Sequence, residues 1–196
     1  AMLNSYIERN WIADIPSQYE HSQMLLNGFG EPFPESRGKA IPLLWGSLGI
    51  AYRADKIKGG IQSWRQLFQP APEWHKKISM INTSREVVGM ALKSLGYSAN
   101  SDKVEHLQEV AALLTAQKPH VSQYELITLQ NSRGLLNGDI WLGMSYSGDA
   151  LMMRQQNANI RYVIPEEGGK LWIDYLAVVN SSTKKSAAFK FINFIS

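Results

Sequence analysis

Asp174 makes the strongest chemical claim in this chain. It stands inside "LWIDYLAVV", residues 171–179, where the other eight positions are apolar or aromatic. A near-continuous apolar run of this length predicts a strand buried on both faces of a sheet. A carboxylate in such a strand is costly unless a cation or hydrogen-bond donors meet it. Lys170 and Arg161 are nearby cations that suit the role, and a ligand ammonium is the alternative. Trp172 lies two positions before Asp174, so both side chains leave the same face of the strand.

Two further segments carry polar residues where an α/β sheet uses them. Ligands of open α/β sheets bind beyond the carboxyl ends of the strands. After the strand pattern "KISMIN", 77–82, come Thr83 and Glu86. After "IWLGMS", 140–145, come Tyr146 and Asp149. Three carboxylates and two aromatic rings at one sheet edge suit an organic cation. Ammonium groups donate charge-assisted hydrogen bonds to carboxylates, and their charge is attracted to the faces of Trp and Tyr. Two such bonds at about 1.5–3 kcal/mol each, with four covered methylenes at about 0.8 kcal/mol each, give a gross gain of roughly 6–9 kcal/mol. After the costs of association, that corresponds to millimolar to micromolar binding.

Structural roles stand beside each of these. Thr83-x-x-Glu86 fits a capping box, with Glu86 folded back on its own helix. Asp149 falls in a first helical turn, where the macrodipole favours acids. Tyr146 and Trp172 also suit a hydrophobic core. For Asp174 the structural role is an ion pair with Lys170 or Arg161.

Other chemistries fit poorly. The four His residues, at 21, 75, 106 and 120, lack metal-ligand spacing. The stretch "EEGGK", 166–170, is not a phosphate loop, since it lacks the GxxxxGK[ST] pattern and leads into a strand. "GMSYS", 143–147, resembles a nucleophile elbow but ends in Ser147 instead of Gly, and no His follows Ser145 as a hydrolase of that type needs. The residues call for no catalytic group, no metal and no cofactor.

Composition agrees with a binding protein. The chain has 196 residues, enough for one domain or two small lobes. It has no Cys, so disulfides and thiolate metal sites are excluded. The net charge is +3, with Lys and Arg scattered, which argues against nucleic acid as a partner. Between Leu136 and Leu176, five acids stand against three bases, a local excess that suits a cationic ligand. No apolar run approaches 18 residues, and no signal peptide is visible. Both ends fall inside helix-like patterns, which predicts that the chain is part of a longer protein.

The positioning elements follow from periodicity and punctuation. Residues 1–38 hold a short helical pattern and a Gly- and Pro-rich loop, "NGFGEPFPESRGK". "AIPLLWGSLGIAYR", 40–53, predicts one or two buried strands. "SWRQLFQ", 63–69, predicts a short helix with Ser63 as N-cap. Residues 83–96 predict a helix ending at Gly96. Residues 102–117 predict an amphipathic helix with Val104, Leu107, Val110, Ala111 and Leu114 on its apolar face. A helix at 148–157, a strand at 160–165 and a helix starting near Ser182 complete the pattern. Strands alternating with helices imply an α/β fold with a largely parallel sheet.

The segments "IPLLWGSLGIAYRADKI", "SREVVGMALKSLGYSAN", "LLNGDIWLGMSYSGDALMMRQ", "IPEEGG" and "LWIDYLAVVNSSTKKSAAFKFINF" resemble, in this order, the bacterial spermidine/putrescine-binding proteins. The resemblance implies a type II periplasmic-binding-protein fold: two α/β lobes joined by crossing strands. Residues 1–39 would end the first lobe, 40–53 and 171–179 would be the crossings, and 54–170 would form most of the second lobe. Residues 171–196 would return to the first lobe.

The resemblance also implies roles, residue by residue. Glu86 matches an acid that contacts an amine. Trp172 matches a ring that stacks on the alkyl chain, and Asp174 matches an acid that binds an ammonium. Tyr146 stands where the family usually has Trp. Asp149 matches a position that is acidic in putrescine-preferring relatives. Thr83 stands where spermidine binders often have Asp. Together these two departures tilt the expected ligand toward a diamine, with another organic cation as the alternative. The implied partner is the membrane permease of an ABC importer, and the implied location is the periplasm. The same fold also serves as a sensory domain fused to a signalling protein such as a diguanylate cyclase.

Overall fold

The computed structural model describes residues 2–17, 38–128 and 133–195. Most of the loop expected at 27–39 lies outside them. The chain divides into two compact units. One comprises Ala1–Trp45 and Trp172–Ser196, the other Gly46–Leu171.

The larger unit is built on a mixed sheet. Its strands are β1 (Ala40–Arg53, entering from the other unit), β2 (Ile78–Met80), β3 (Val121–Tyr124), β4 (Leu142–Tyr146) and β5 (Ile160–Val163), in spatial order β3-β2-β4-β1-β5. A further strand, β6 (Lys170–Ala177), pairs with β1. β2 runs parallel to β3 and β4, but β1 runs antiparallel to β4 and β5. The sheet is therefore mixed, and the expectation of a largely parallel one holds only for β3-β2-β4. Alternation of helix and strand predicts crossovers, and it cannot see a long strand such as β1 laid between β4 and β5.

Side-chain alternation divides β1 between two cores. Leu48 and Ile50 face Ile78, Met80, Leu142, Met144 and the helices α2 (Trp64–Phe68), α3 (Ser84–Ser94) and α4 (Val104–Gln117). Ala51 faces Leu135 of α5 (Arg133–Asn137), Ala150 and Met153 of α6 (Ser147–Gln156), and Ile160. Glycines let the strands approach: a Cβ on Gly49 would lie 2.3 Å from the Val163 carbonyl oxygen, and one on Gly143 would lie 2.4 Å from that of Ser79. Buried Arg53 is fully engaged. Its guanidinium donates to both Asp55 oxygens and to the carbonyls of Leu135 and Leu136 at 2.8–3.0 Å.

Helix α2 begins at its expected N-cap, Ser63, which together with Gln66 also forms a reciprocal capping box that the sequence reading did not include. Helix α4 is rotated from its expected face. It buries Val110, Leu113 and Gln117, while Val104 and Leu107 are exposed. Gln117 donates to the Leu67 carbonyl at 2.9 Å and to Met80 Sδ at 3.4 Å, so a polar residue occupies the helix's inner face. Strand β3 and helix α5 were not expected; "VSQY" is too short and too polar to signal a strand.

The smaller unit has its own core of Ala13, Ile41, Val178, Phe189 and Ile192. Helix α1 (Met2–Glu8) opens it and α7 (Lys185–Ile195) closes it. Ile12 bridges Val179 antiparallel, and the Ala13 amide donates to the Val178 carbonyl at 2.8 Å. Lys39 pairs with Asp14 at 2.7 Å.

Candidate functional site

Within the larger unit, β2 and β4 are adjacent, parallel, and each followed by a helix. Thr83 is the N-cap residue of α3, with Glu86 in its first turn. Tyr146 is the N-cap residue of α6, with Asp149 in its first turn. The same sheet edge thus carries all four of these residues. Bare helix N-termini favour anions. An acid in each first turn offsets that preference.

The start of α6 is held in place by hydroxyls. The Ser47 amide donates to Ser147 Oγ at 3.2 Å. Tyr162 Oη donates to the Ser47 carbonyl at 2.9 Å and lies 2.9 Å from Ser47 Oγ. Burial pushes the Tyr162 phenol up from its ordinary pKa, and the Ser47 hydroxyl only partly offsets this. Tyr146 is half-buried and packs against the larger core.

Glu86 does not cap its helix. Thr83 makes no side-chain cap hydrogen bond, and the Glu86 carboxylate instead accepts from Lys170 Nζ. Glu86 is buried and Lys170 is partly exposed. The pair borders a cleft of about 310 Å³ that Arg85, Lys93 and Asn100 also line.

Trp172 and Asp174 belong to the smaller unit, on β6. The strand is not buried on both faces: none of its eight residues is fully buried, and Asp174 is exposed. Among the described residues β6 pairs only with β1, so it lacks the second neighbour that a central strand has. Neither expected cation meets Asp174. Lys170 binds Glu86, and Arg161 donates to the carbonyls of Ala158 and Ile160. Trp172 is half-buried.

Sequence reasoning missed the clamp that positions Lys170. Ser63 Oγ donates to Glu167 at 2.5 Å, and the Trp64 amide donates to the same carboxylate at 3.2 Å. Trp64 Nε1 donates to the Gly168 carbonyl at 2.9 Å, and the Glu166 amide to the Gln62 carbonyl at 2.8 Å. These partners lie about a hundred residues apart in sequence, and no local pattern announces them. Burial raises the Glu167 pKa, but hydrogen bonds from Ser63 and from backbone amides outweigh it and hold the carboxyl below its ordinary value of 4.5. A depressed folded pKa adds stability above the unfolded value, and that stability is lost as pH falls through the folded value. Glu167→Gln should therefore lower the urea midpoint at pH 7. The gap to the unaltered protein should narrow as pH is taken below about 4.5.

Among the described residues, no group of three or more His, Cys, Asp or Glu side chains is placed to hold a metal ion. No helix among them is long and apolar enough to cross a membrane.

The chain belongs to the family of bacterial extracellular solute-binding proteins, whose model matches residues 1–196. It is 31% identical over 166 residues to the spermidine/putrescine-binding periplasmic protein of Salmonella typhimurium, covering 84% of this chain and 47% of that protein. It is 28% identical over 158 residues to the norspermidine sensor of Vibrio cholerae, covering 80% of this chain and 44% of that protein. The chain thus spans less than half the length of either relative. Among solved structures it resembles the spermidine/putrescine ABC transporter substrate-binding protein PotD of Streptococcus pneumoniae. The TM-score is 0.82 at 27% identity, over 99% of this chain and 59% of that one. The fold is the type II periplasmic-binding-protein fold, as the resemblance implied.

Proposed function

We propose that this chain binds a polyamine such as putrescine or spermidine, as part of a periplasmic receptor that delivers it to an ABC importer. Glu86, Asp149 and Asp174 supply carboxylates for the ammonium groups. Tyr146 and Trp172 supply rings for the methylenes between them, and Thr83 supplies a neutral hydroxyl. The observation that carries this reading is the paired placement of Glu86 and Asp149 in the first turns of two neighbouring helices. The two acids offset the preference of these helix N-termini for anions. The identity to a spermidine/putrescine-binding protein supports the same substrate class. The periplasmic location follows from that relative, and the ABC permease partner from the likeness to the ABC transporter substrate-binding protein of Streptococcus pneumoniae.

A second reading has one observation in its favour, the match to a norspermidine sensor. Under it the ligand class is the same and the output is a signalling domain.

Thermal unfolding with a panel of cations tests the substrate class. A ligand that binds only the folded state stabilises it by RT ln(1 + [L]/Kd), about 2.7 kcal/mol at a hundredfold excess over Kd. Putrescine and spermidine should raise the melting temperature, whereas glutamate and sodium chloride at matched concentration should not. Equal shifts with all of them would contradict the reading.

A further inference from the structure

We propose that Ser47, Ser147 and Tyr162 are positioning residues for amine recognition. Together they fix the first turn of α6 against β1 and so set where Asp149 presents its carboxylate. The inference rests on the polyamine reading and adds to it three residues that act through Asp149. All four lie within the larger unit.

Helix α6 does not cap its own start. Its N-cap residue is Tyr146, which makes no side-chain cap hydrogen bond. The fastening comes from the neighbouring strand. β1 and β4 pair antiparallel as far as Leu48 and Tyr146. One position further, β4 has turned into α6, and a side-chain oxygen receives the next amide of β1. The Ser47 N–H donates to Ser147 Oγ at 3.2 Å. Ser147 is the first residue of α6 and Asp149 the third, so the anchor sits in the same turn as the carboxylate.

Ser47 is itself pinned. Tyr162 on β5 pairs with Ala51, and side chains at 51, 49 and 47 leave the same face of β1. Gly49 leaves the space that the phenol needs: a Cβ there would lie 2.8 Å from both Cζ and Oη of Tyr162. The ring therefore reaches along the face to Ser47, and its Oη donates to the Ser47 carbonyl at 2.9 Å. A phenol has one proton to give, so the Ser47 hydroxyl, 2.9 Å from the same oxygen, is the donor to it. Amide, carbonyl and hydroxyl of Ser47 are all committed, and β1, β5 and α6 meet at this one residue. A carboxylate holds an ammonium at about 2.7–2.9 Å. Binding groups work when held within about 0.5 Å of that geometry, and the hydroxyl chain supplies the hold.

Calorimetric titration with putrescine at low salt tests this on the unaltered protein, Ser147→Ala, Ser147→Thr and Tyr162→Phe, with melting temperatures measured alongside. Tyr162→Phe keeps the ring over Gly49 and removes only the hydroxyl, and it serves alone if Ser147→Ala does not fold. Ser147→Ala and Tyr162→Phe should each weaken binding about two- to tenfold, the worth of one neutral hydrogen bond. Ser147→Thr, which keeps the hydroxyl, should retain it. Repeating Ser147→Ala in an Asp149→Asn background separates positioning from a general loosening. With the carboxylate gone, the same change should cost less. Full affinity in Ser147→Ala and Tyr162→Phe, no rescue by Ser147→Thr, or a loss of equal size with and without Asp149 would overturn the role of these residues while leaving the polyamine reading intact. No binding of putrescine or spermidine to the unaltered protein would overturn both.

Discussion

Trp64→Ala is expected to lower stability by about 3–5 kcal/mol, the range for deleting a fully buried large aromatic side chain. Trp64 has no exposed surface and sits in the larger core beside Leu67, Phe68 and Ile61. It does two things at once. Its ring fills the space under α2, and its Nε1 holds the Gly168 carbonyl. Natural domains are stable by about 5–15 kcal/mol, so this loss takes a large share. Urea unfolding should show a much lower midpoint. Trp64→Phe separates the two functions: it keeps most of the volume and loses the N–H. That variant should cost about 1–3 kcal/mol through the unsatisfied carbonyl and the smaller ring. A change below 0.5 kcal/mol for Trp64→Ala would contradict the packing described here.

Asp174→Asn is expected to weaken putrescine binding by about 10- to 150-fold, the worth of one hydrogen bond to a charged group at 1.5–3 kcal/mol. The structure makes this variant unusually clean. Asp174 is exposed and accepts no side-chain hydrogen bond from Lys170 or Arg161. Its replacement breaks nothing in the fold, and stability should stay within about 0.5 kcal/mol. A binding loss with no stability loss assigns the carboxylate to the ligand. The affinity of the unaltered protein should also fall between low salt and 0.15 M salt, because an exposed charge is screened over about 8 Å at that ionic strength. A variant that binds putrescine as well as the unaltered protein would remove Asp174 from the site.

Asp174 also shows how sequence reasoning works and where it stops. The apolar run around it predicts a strand, and β6 is one. The inference from apolar to buried failed, because burial depends on how many neighbours a strand has, and that is a property of the sheet. Glu86 gives the complementary case. Its spacing from Thr83 fits a capping box, but a lysine 84 residues away takes the carboxylate instead. Local spacing lists the partners a side chain could have nearby, and a distant charge can outcompete them. Ser63 is the N-cap that the sequence predicts, and its capping box with Gln66 forms although the same hydroxyl also donates to distant Glu167.

Helix α4 failed for a different reason. Its apolar residues are numerous enough to draw two stripes. The one that faces inward includes Gln117, which counts as polar in any hydropathy pattern. Its amide nitrogen is accommodated because the Leu67 carbonyl and Met80 sulfur receive its protons, while its buried amide oxygen has no hydrogen-bond partner among the described residues. The positions of Thr83, Glu86, Tyr146 and Asp149 at the sheet edge were legible, since each follows a strand whose apolar core is unmistakable. The Ser47–Tyr162–Ser147 contacts and the Glu167 clamp were not, because each joins segments a hundred or more residues apart.

The central claim is that this chain recognises a polyamine through its carboxylates. Calorimetric titration with putrescine at low salt, beside Asp174→Asn, tests it most directly. The account predicts saturable binding to the unaltered protein, with a dissociation constant in the micromolar to millimolar range, and a loss of at least tenfold in the variant. Absence of saturable heat with putrescine and spermidine alike, from protein that melts cooperatively, would contradict it.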